Sequence, residues 1–263
     1  MQKRKEDFRC LRTLLPKKAF AIAPKRRSGP TDLVRKRVWR GIVHLPDHVA
    51  ITTSDHHGAQ LEALYILWGD WVEAIGENQD ALFATMLDAA DCFQSSTFES
   101  LHGYYRSALS DLRSAVELVA IGTLGNLLPA DQVYLRWKEN SATLAFPSCR
   151  GRLHRITKEP AKTMLFKQGG WMEELYYRLC GYAHSRPDSS DGEMWESNGP
   201  IYVGKVFNDV FRLQASTYAA CYLLAKAGRP KLAVSKNSDF LFDTPKLLWS
   251  DEIVASYQAL CAA

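Results

Sequence analysis

A long helical repeat in the middle of the chain most constrains its fold. From residue 97 to about residue 124, apolar side chains recur every three or four positions, at Leu101, Tyr105, Leu109, Leu112, Val116 and Val119. This spacing places them on one side of an α-helix, and a stripe of that length needs other elements packed against it. The opposite side of the same helix is polar and contains Arg106, Ser110, Arg113 and Glu117. Gly125 and Pro129 are expected to end the helix.

Shorter stretches elsewhere have the same period, which predicts further helices. We expect them near residues 54–75, 80–93, 130–137, 171–185, 207–226 and 251–260. Ser54 and Asp55 are placed to cap the first of these. Residues 44–53 are interpreted as a transition, with a short strand as one option, residues 126–165 are less regular, and residues 201–203 form a brief extended piece. The sequence therefore predicts an all-α helical bundle with a short irregular insertion.

The N-terminal segment differs from the rest of the chain in charge. Residues 1–40 contain fourteen Lys or Arg against three Asp or Glu, whereas the remaining residues contain nineteen against twenty-six. Prolines within the segment prevent one long helix there. We therefore predict a flexible basic arm over residues 1–45 and a helical-bundle domain over residues 46–263. A basic arm on an acidic body favours contact with nucleic acid or an anionic surface, and a disordered solubilising extension is the alternative.

Composition narrows the classes of protein to consider. Of the 263 residues, 46% are hydrophobic and 24% are charged, which is typical of a globular protein with a sizeable core. No apolar stretch reaches the ~18 residues that span a bilayer, so we expect no membrane segment. The cysteines are scattered without a C-x-x-C pair. This pattern argues against a disulfide framework or a zinc knuckle and favours a cytoplasmic location.

Several short motifs suggest chemistry that their surroundings do not support. Residues 49–57, VAITTSDHH, resemble the strand of the DHH phosphoesterases that holds manganese, but the further aspartates of that family are missing upstream. We interpret Asp55 and the two following histidines as the start of a helix. His44 and His48 have the spacing of two helical metal ligands, yet Pro46 stands between them. No P-loop or G-x-S-x-G motif occurs, and we expect no metal or organic cofactor.

The remaining candidate is the segment LYYRLCGYAHSRP, in which five residues separate Arg178 from His184. An imidazole can remove the proton of a ribose 2′-hydroxyl, and a guanidinium can hold a phosphate whose charge rises in the transition state. The spacing alone is common, since Arg37 and His44 have a similar one. The setting is more specific, because this motif lies at the end of a predicted amphipathic helix and Pro187 predicts a helix break near it.

This motif resembles the R-x(4–6)-H motif of the HEPN superfamily, helical-bundle proteins common in bacterial toxin–antitoxin and phage-defence systems. The resemblance implies a metal-independent endoribonuclease that pairs two copies of the motif across the cleft of a homodimer. It implies that Arg178 contacts phosphate, that His184 is the general base, and that the products carry a 2′,3′-cyclic phosphate and a 5′-hydroxyl. Glu117 and Arg113 are the implied supporting residues, and Tyr182 is a candidate substrate or dimer contact. RNA, a second copy and an antitoxin or defence-system protein are the implied partners.

The polar loop after the motif contains further candidate binding residues, namely Arg186, Trp195 and Asn198. Trp195 is expected either to stack on a base or to hold the loop in place through burial. Two other functions stay open. The chain could be a non-catalytic interaction or sensor protein of the same fold, in which His184 only caps a helix. It could also bind nucleic acid through the basic arm alone.

Overall fold

The computed structural model describes residues 36–77, 79–157, 159–183, 199–233, 238–242 and 247–262. These residues form helices and turns and contain no strand, which confirms the all-α prediction. Within them the helices are α1 (Lys36–Trp39), α2 (Leu45–Ile75), α3 (Ala81–Leu101), α4 (Tyr105–Leu127), α5 (Gln132–Lys138), α6 (Phe146–Ile156), α7 (Pro160–Leu165), α8 (Trp171–Ala183), α9 (Gly204–Gly228), α10 (Ser238–Phe242) and α11 (Ser250–Ala262). None of these helices is both long enough and apolar enough to cross a bilayer.

The chain divides into two units, Met1–His44 and Leu45–Ala263. In the first unit, the described residues form α1 and a π-helical turn, Arg40–His44. The rings of Trp39 and His44 meet edge to face there, with centroids 6.1 Å apart. The second unit contains the hydrophobic core of the described residues.

Helix α4 lies at the centre of the second unit. It packs against α3, α9, α8 and α6, and the residues of its predicted apolar stripe from Tyr105 to Val119 are fully buried. The helical period read from the sequence is therefore confirmed. Burying a stripe of large side chains contributes about 1.5–3 kcal/mol for each, which makes α4 a large contributor to hydrophobic stabilisation.

Hydrogen bonds fix the direction of α9 along α4. The Tyr105 hydroxyl, at the beginning of α4, accepts a hydrogen bond of 3.2 Å from the backbone N–H of Val203, just before α9. Near the other end, Thr123 Oγ1 donates to the carbonyl oxygen of Leu224 at 2.9 Å. The two helices therefore run parallel, and α9 begins at the same end of the bundle as α4.

Helices α3 and α4 approach each other closely at Gly122. A Cβ atom at this position would overlap Thr85 Oγ1 and would lie 3.2 Å from the Cα atom of Leu82. Glycine is unfavourable inside a helix by about 1 kcal/mol relative to alanine. Its presence here is explained by the contact between the two backbones, which no side chain would permit.

Helix α2 begins at Leu45, so the transition predicted over residues 44–53 and the cap predicted at residues 54–55 are wrong. The hydroxyls of residues 52–54 each donate to the carbonyl oxygen four residues earlier, at 2.8 to 2.9 Å. Such bonds hold Ser and Thr side chains within a helix, whereas a capping side chain accepts a hydrogen bond from a free backbone N–H. The backbone leaves helical geometry only at His57 (φ −131°, ψ 23°).

The junction between α3 and α4 also differs from the prediction. Helix α3 continues past residue 93 to Leu101, and α4 begins at Tyr105. Thr97, where the long central helix was predicted to begin, lies inside α3, and its hydroxyl donates to the carbonyl oxygen four residues earlier at 3.0 Å. The turn between the helices contains Gly103, whose φ of +80° favours glycine, and a Cβ on it would overlap the backbone of Ile201.

Two helices, α6 and α7, lie between residues 138 and 165, where the sequence analysis predicted no helix. The apolar residues on the buried side of α6 are Phe146, Cys149 and Leu153, all fully buried, and Arg150 is buried beside them. Three apolar residues over two turns are too few to give a clear periodic pattern, and the other positions of α6 are mostly basic or small. Pro147 lies in the first turn of α6, a position that favours proline and is the one local signal for this helix.

Candidate functional site

Helix α8, which carries Arg178, is joined to α4 by a polar cluster of Arg113, Glu117 and Tyr176. Arg113 Nη2 donates to Glu117 Oε1 at 3.0 Å, and the Tyr176 hydroxyl donates to the same oxygen at 2.5 Å. The Arg113 guanidinium also lies 5.8 Å from the centre of the Tyr176 ring, within the range of a cation–π interaction. The predicted supporting pair on α4 therefore does contact α8.

Burial and hydrogen bonding set the charges of this cluster. Burial raises the pKa of the Tyr176 hydroxyl, and the hydrogen bond to Glu117 raises it further, against the opposite effect of Arg113. Burial disfavours the charged form of Arg113, but its contacts with Tyr176 and Glu117 outweigh burial and raise its pKa. The cluster is therefore an ion pair beside a neutral phenol, and its positive charge is already balanced.

Helix α8 packs against α4 around this cluster. Tyr176 contacts Glu117, and Cys180, one turn later in α8, contributes to the electrostatic environment of Arg113. Helix α8 ends at Ala183.

Arg178 lies on a different side of α8 from the cluster. Two positions separate it from Tyr176, which corresponds to about 200° around the helix axis. Arg178 is half-buried. The residue of α8 that contacts the ion pair of α4 is thus Tyr176 and not Arg178.

The other predicted site residues have different positions. The side chain of Tyr182 is only 3% exposed and belongs to the apolar side of α8 with Leu179. The described residues end at Ala183 and resume at Gly199. Four candidates lie outside the described part of the chain: His184, Arg186, Trp195 and Asn198.

A groove of about 900 Å³ opens beside the ion pair of α4. One wall is α4 and the other is the connection between α5 and α6, with lining residues that include Leu118, Ile121, Trp137, Asn140, Thr143 and Leu144. The groove has a charged end at the ion pair and an aromatic side chain, Trp137, whose ring is stacked against Tyr134 with centroids 6.1 Å apart. This combination suits a ligand with one polar and one apolar part.

A second groove, of about 540 Å³, lies along α3 and the beginning of α4. Its lining includes Phe98, Glu99 and Tyr104. Burial, with a smaller contribution from the negative charge of Asp111, raises the pKa of Glu99 to about 7. Glu99 Oε2 is buried and has no hydrogen-bond partner among the described residues. The carboxyl group is therefore protonated over much of the acidic pH range.

Replacing Glu99 with glutamine is expected to change how stability depends on pH. Because the pKa in the folded state lies above the ordinary 4.5, protonated Glu99 stabilises the fold fully below pH 4.5. This stabilisation is lost as the pH rises through about 7. Melting temperatures from pH 4 to pH 8 should therefore fall more steeply for the original chain than for Glu99→Gln. Glu62→Gln, at an exposed position on α2, is the control, and equal slopes for all three proteins would contradict the prediction.

Sequence reasoning missed a polar cluster around His57, whose ring contacts Tyr202 at 3.1 Å and Gln60 at 2.5 Å. The only signal for it was the unusual Asp-His-His sequence, which was interpreted as the start of a helix. Since Tyr202 lies 145 positions away, no local pattern indicates that the two side chains meet.

The described residues contain no group of three or more His, Cys, Asp or Glu side chains that could hold a metal ion. The candidate features of the described residues are therefore Arg178 on α8, the ion pair of Arg113 and Glu117, the two grooves and the His57 cluster. Compared with protein-family models, with curated proteins and with solved structures, the chain matches none of them.

Proposed function

We propose that the chain is a HEPN-like, metal-independent endoribonuclease in which Arg178 binds phosphate and His184 is the general base. The observation that carries the proposal is the placement of α8. Its apolar side, which includes Leu175 and Leu179, is fully buried, whereas Arg178 stays half-exposed. A guanidinium on a helix held by the core loses little freedom when it binds phosphate, which favours a site that works without rearrangement.

The proposed reaction begins with one base and one cation. His184 removes the proton of the ribose 2′-hydroxyl, and the 2′-oxygen attacks the neighbouring phosphorus. Arg178 stabilises the negative charge that grows on the phosphate oxygens during this attack. The bond between phosphorus and the 5′-oxygen then breaks and the 5′-oxygen takes up a proton, which leaves a 2′,3′-cyclic phosphate and a 5′-hydroxyl.

The same proposal specifies the partners. Two copies of the chain pair their motifs in one cleft, and RNA is attracted by the basic arm, whose first 40 residues have an excess of positive charge. An antitoxin or another defence-system protein would bind the same dimer, in the cytoplasm. The ion pair of Arg113 and Glu117 supports α8 indirectly, through Tyr176.

Replacing His184 with alanine is expected to lower the rate of RNA cleavage by about 10²–10⁴-fold, because a general base contributes that much. The measurement is cleavage of end-labelled RNA by the purified chain with a chelator present, with the product ends identified chemically. Arg178→Ala is expected to slow cleavage as well. The control is His44→Ala. It removes the histidine of the Arg37–His44 pair, which has a spacing similar to that of Arg178 and His184, and it should leave the rate unchanged. Cleavage that survives His184→Ala unchanged, or an original chain that cleaves no RNA, would contradict the proposal.

One observation favours the second candidate, a non-catalytic interaction or sensor protein of the same fold. Arg113, Glu117 and Tyr176 are bonded to one another, and none of these bonds involves Arg178. In that case the 900 Å³ groove beside the ion pair is the binding site, and a partner protein or small ligand is its occupant. The cleavage experiment separates the two candidates, since this one predicts no product from any variant.

A further inference from the structure

The interruption of α2 at His57 places an imidazole in a network that reaches α9. The ring is stacked on Phe207, with centroids 4.4 Å apart, and both ring nitrogens have partners. His57 Nδ1 lies 2.5 Å from Gln60 Oε1, and Nε2 lies 3.1 Å from the Tyr202 hydroxyl. Gln60 Nε2 in turn donates to Asn208 Oδ1 at 2.9 Å. Partners at both ring nitrogens fix the orientation of the imidazole.

The far end of this network determines where each proton lies. Asn208 Nδ2 donates to the backbone carbonyl oxygen of Gly204, a group that only accepts hydrogen bonds. The Asn208 amide oxygen must therefore face Gln60, which makes the Gln60 amide nitrogen a donor and turns its oxygen toward His57. His57 Nδ1 then carries the proton, so Nε2 of the neutral ring accepts the proton of the Tyr202 hydroxyl.

This arrangement has the order of a catalytic triad, with a hydroxyl, a base and a third group that orients the base. Gln60 fixes the tautomer of His57, as a buried carboxylate does in serine proteases. Gly204 leaves room for the pair, because a Cβ there would lie 2.9 Å from the Tyr202 hydroxyl oxygen and 3.7 Å from His57 Nε2. His57 and Tyr202 are both half-buried, so the pair lies at the edge of the core.

The pair and Arg178 belong to helices that share one core. Tyr202 comes immediately before Val203, whose N–H donates to the Tyr105 hydroxyl at the beginning of α4. Helix α8, with Arg178, packs against both α4 and α9. An acid–base pair before α9 and a half-exposed guanidinium on α8 are thus held by the same helical bundle.

We infer that Tyr202 and His57 form the proton-donating pair of the proposed ribonuclease, an inference that rests on the proposed function. When His57 carries a second proton, Nε2 donates to the phenolic oxygen, and the hydroxyl proton of Tyr202 is free to point at the substrate. As the bond between phosphorus and the 5′-oxygen breaks, that oxygen takes the proton of Tyr202. Tyr202 takes the Nε2 proton of His57 in the same step. His57 ends neutral, the substrate ends with a 5′-hydroxyl, and water restores the proton to His57.

The test compares two RNA substrates that differ at the leaving atom. One has the natural 5′-oxygen, and the other has sulfur at that bridging position, whose thiolate leaves without protonation because a thiol is a far stronger acid than an alcohol. For Tyr202→Phe we expect cleavage of the oxygen substrate to be about 10²–10⁴-fold slower than for the original chain. The sulfur substrate should be cleaved at nearly the original rate. His57→Gln is expected to show the same difference between substrates. Tyr177→Phe, at an exposed position on α8, is the control and should cleave both normally.

A second variant keeps every chemical group of the pair. Gly204→Ala would push the Tyr202 hydroxyl away from its place and should slow cleavage of the oxygen substrate alone. It replaces Tyr202→Phe in the comparison should that variant fail to fold, as judged by circular dichroism.

Each outcome decides the inference. Equal losses on both substrates would mean that the pair only supports the fold, and no loss would mean that it has no part in cleavage; either result overturns the inference and leaves the proposed function standing. Loss of both activities in His184→Ala together with a loss confined to the oxygen substrate in Tyr202→Phe supports both. An original chain that cleaves neither substrate overturns the proposed function and this inference with it.

Discussion

Replacing Arg150 with methionine is expected to lower the free energy of unfolding by about 3–5 kcal/mol. Arg150 on α6 and Glu173 on α8 form an ion pair with side chains only 10% and 8% exposed. Arg150 Nε lies 3.2 Å from Glu173 Oε1, close enough for an ion pair, although the two groups are not aligned for a hydrogen bond. Arg150 Nη1 also donates to the carbonyl oxygen of Phe166 at 3.0 Å. Without Arg150, the Glu173 carboxylate would stay buried, and among the described residues the backbone N–H of Gly169 would be its remaining partner.

The matched control is the same substitution two positions later. Arg152 forms an ion pair with Asp131, but its side chain is 29% exposed, and Asp131 also accepts hydrogen bonds from the backbone N–H groups of Val133 and Tyr134, so Arg152→Met should cost clearly less than Arg150→Met. Urea denaturation followed by circular dichroism measures both values. A double variant that also replaces Glu173 with leucine should regain much of the loss, because it removes the uncompensated buried charge. Equal costs for Arg150→Met and Arg152→Met would show that burial of the first pair does not matter.

Replacing Gly122 with alanine is expected to destabilise the fold by about 1–3 kcal/mol, the usual cost of extra volume in a packed interior. In an open helix the same change stabilises by about 1 kcal/mol. The sign is reversed here because the new Cβ would lie 3.2 Å from the backbone of Leu82 in α3 and would overlap Thr85 Oγ1. The side chain of Thr85 can rotate, but the backbone of Leu82 moves only if α3 and α4 separate.

Gly151→Ala provides the opposite case within the same chain. Gly151 lies inside α6, and nothing is within 4 Å of the place that its Cβ would take. Its substitution is expected to raise the melting temperature slightly, while Gly122→Ala lowers it by several degrees. The two thermal unfolding curves, recorded under identical conditions, test the prediction directly. Two changes of the same sign would mean that α3 and α4 can move apart at little cost.

The sequence predicted helices wherever one apolar stripe was long and regular. The C-terminal end of α4 and both ends of α8, α9 and α11 follow from such stripes within a few residues, because burial of one face decides where each helix lies. One error occurred where a hydroxyl side chain gave the pattern of a cap. Ser54 bonds to a carbonyl oxygen inside its own helix, and only coordinates distinguish this from capping. Thr97, where the long helix was predicted to begin, makes the same kind of bond inside α3.

The candidate site was less predictable than the fold. That Arg113 and Glu117 pair with each other follows from their spacing of four on one helix. Their contact with Tyr176, 59 positions after Glu117, depends on how α8 lies against α4, and no local pattern specifies this. The same holds for His57 and Tyr202. Residue types can suggest which groups do chemistry, but packing decides which of them meet.

The interruption at His57 also affects how α2 responds to force. A continuous helix of 31 residues would be stiff along its length, whereas α2 consists of two stiff segments joined at one non-helical residue. The buried Leu64, Leu67 and Trp71 fix the second segment in the core. The joint itself is held to α9 by the contacts of His57 with Tyr202 and Phe207. Loss of those contacts would remove one constraint on the angle between the two segments, and residues 45–56 would then be held by buried side chains such as Val49 and Thr53.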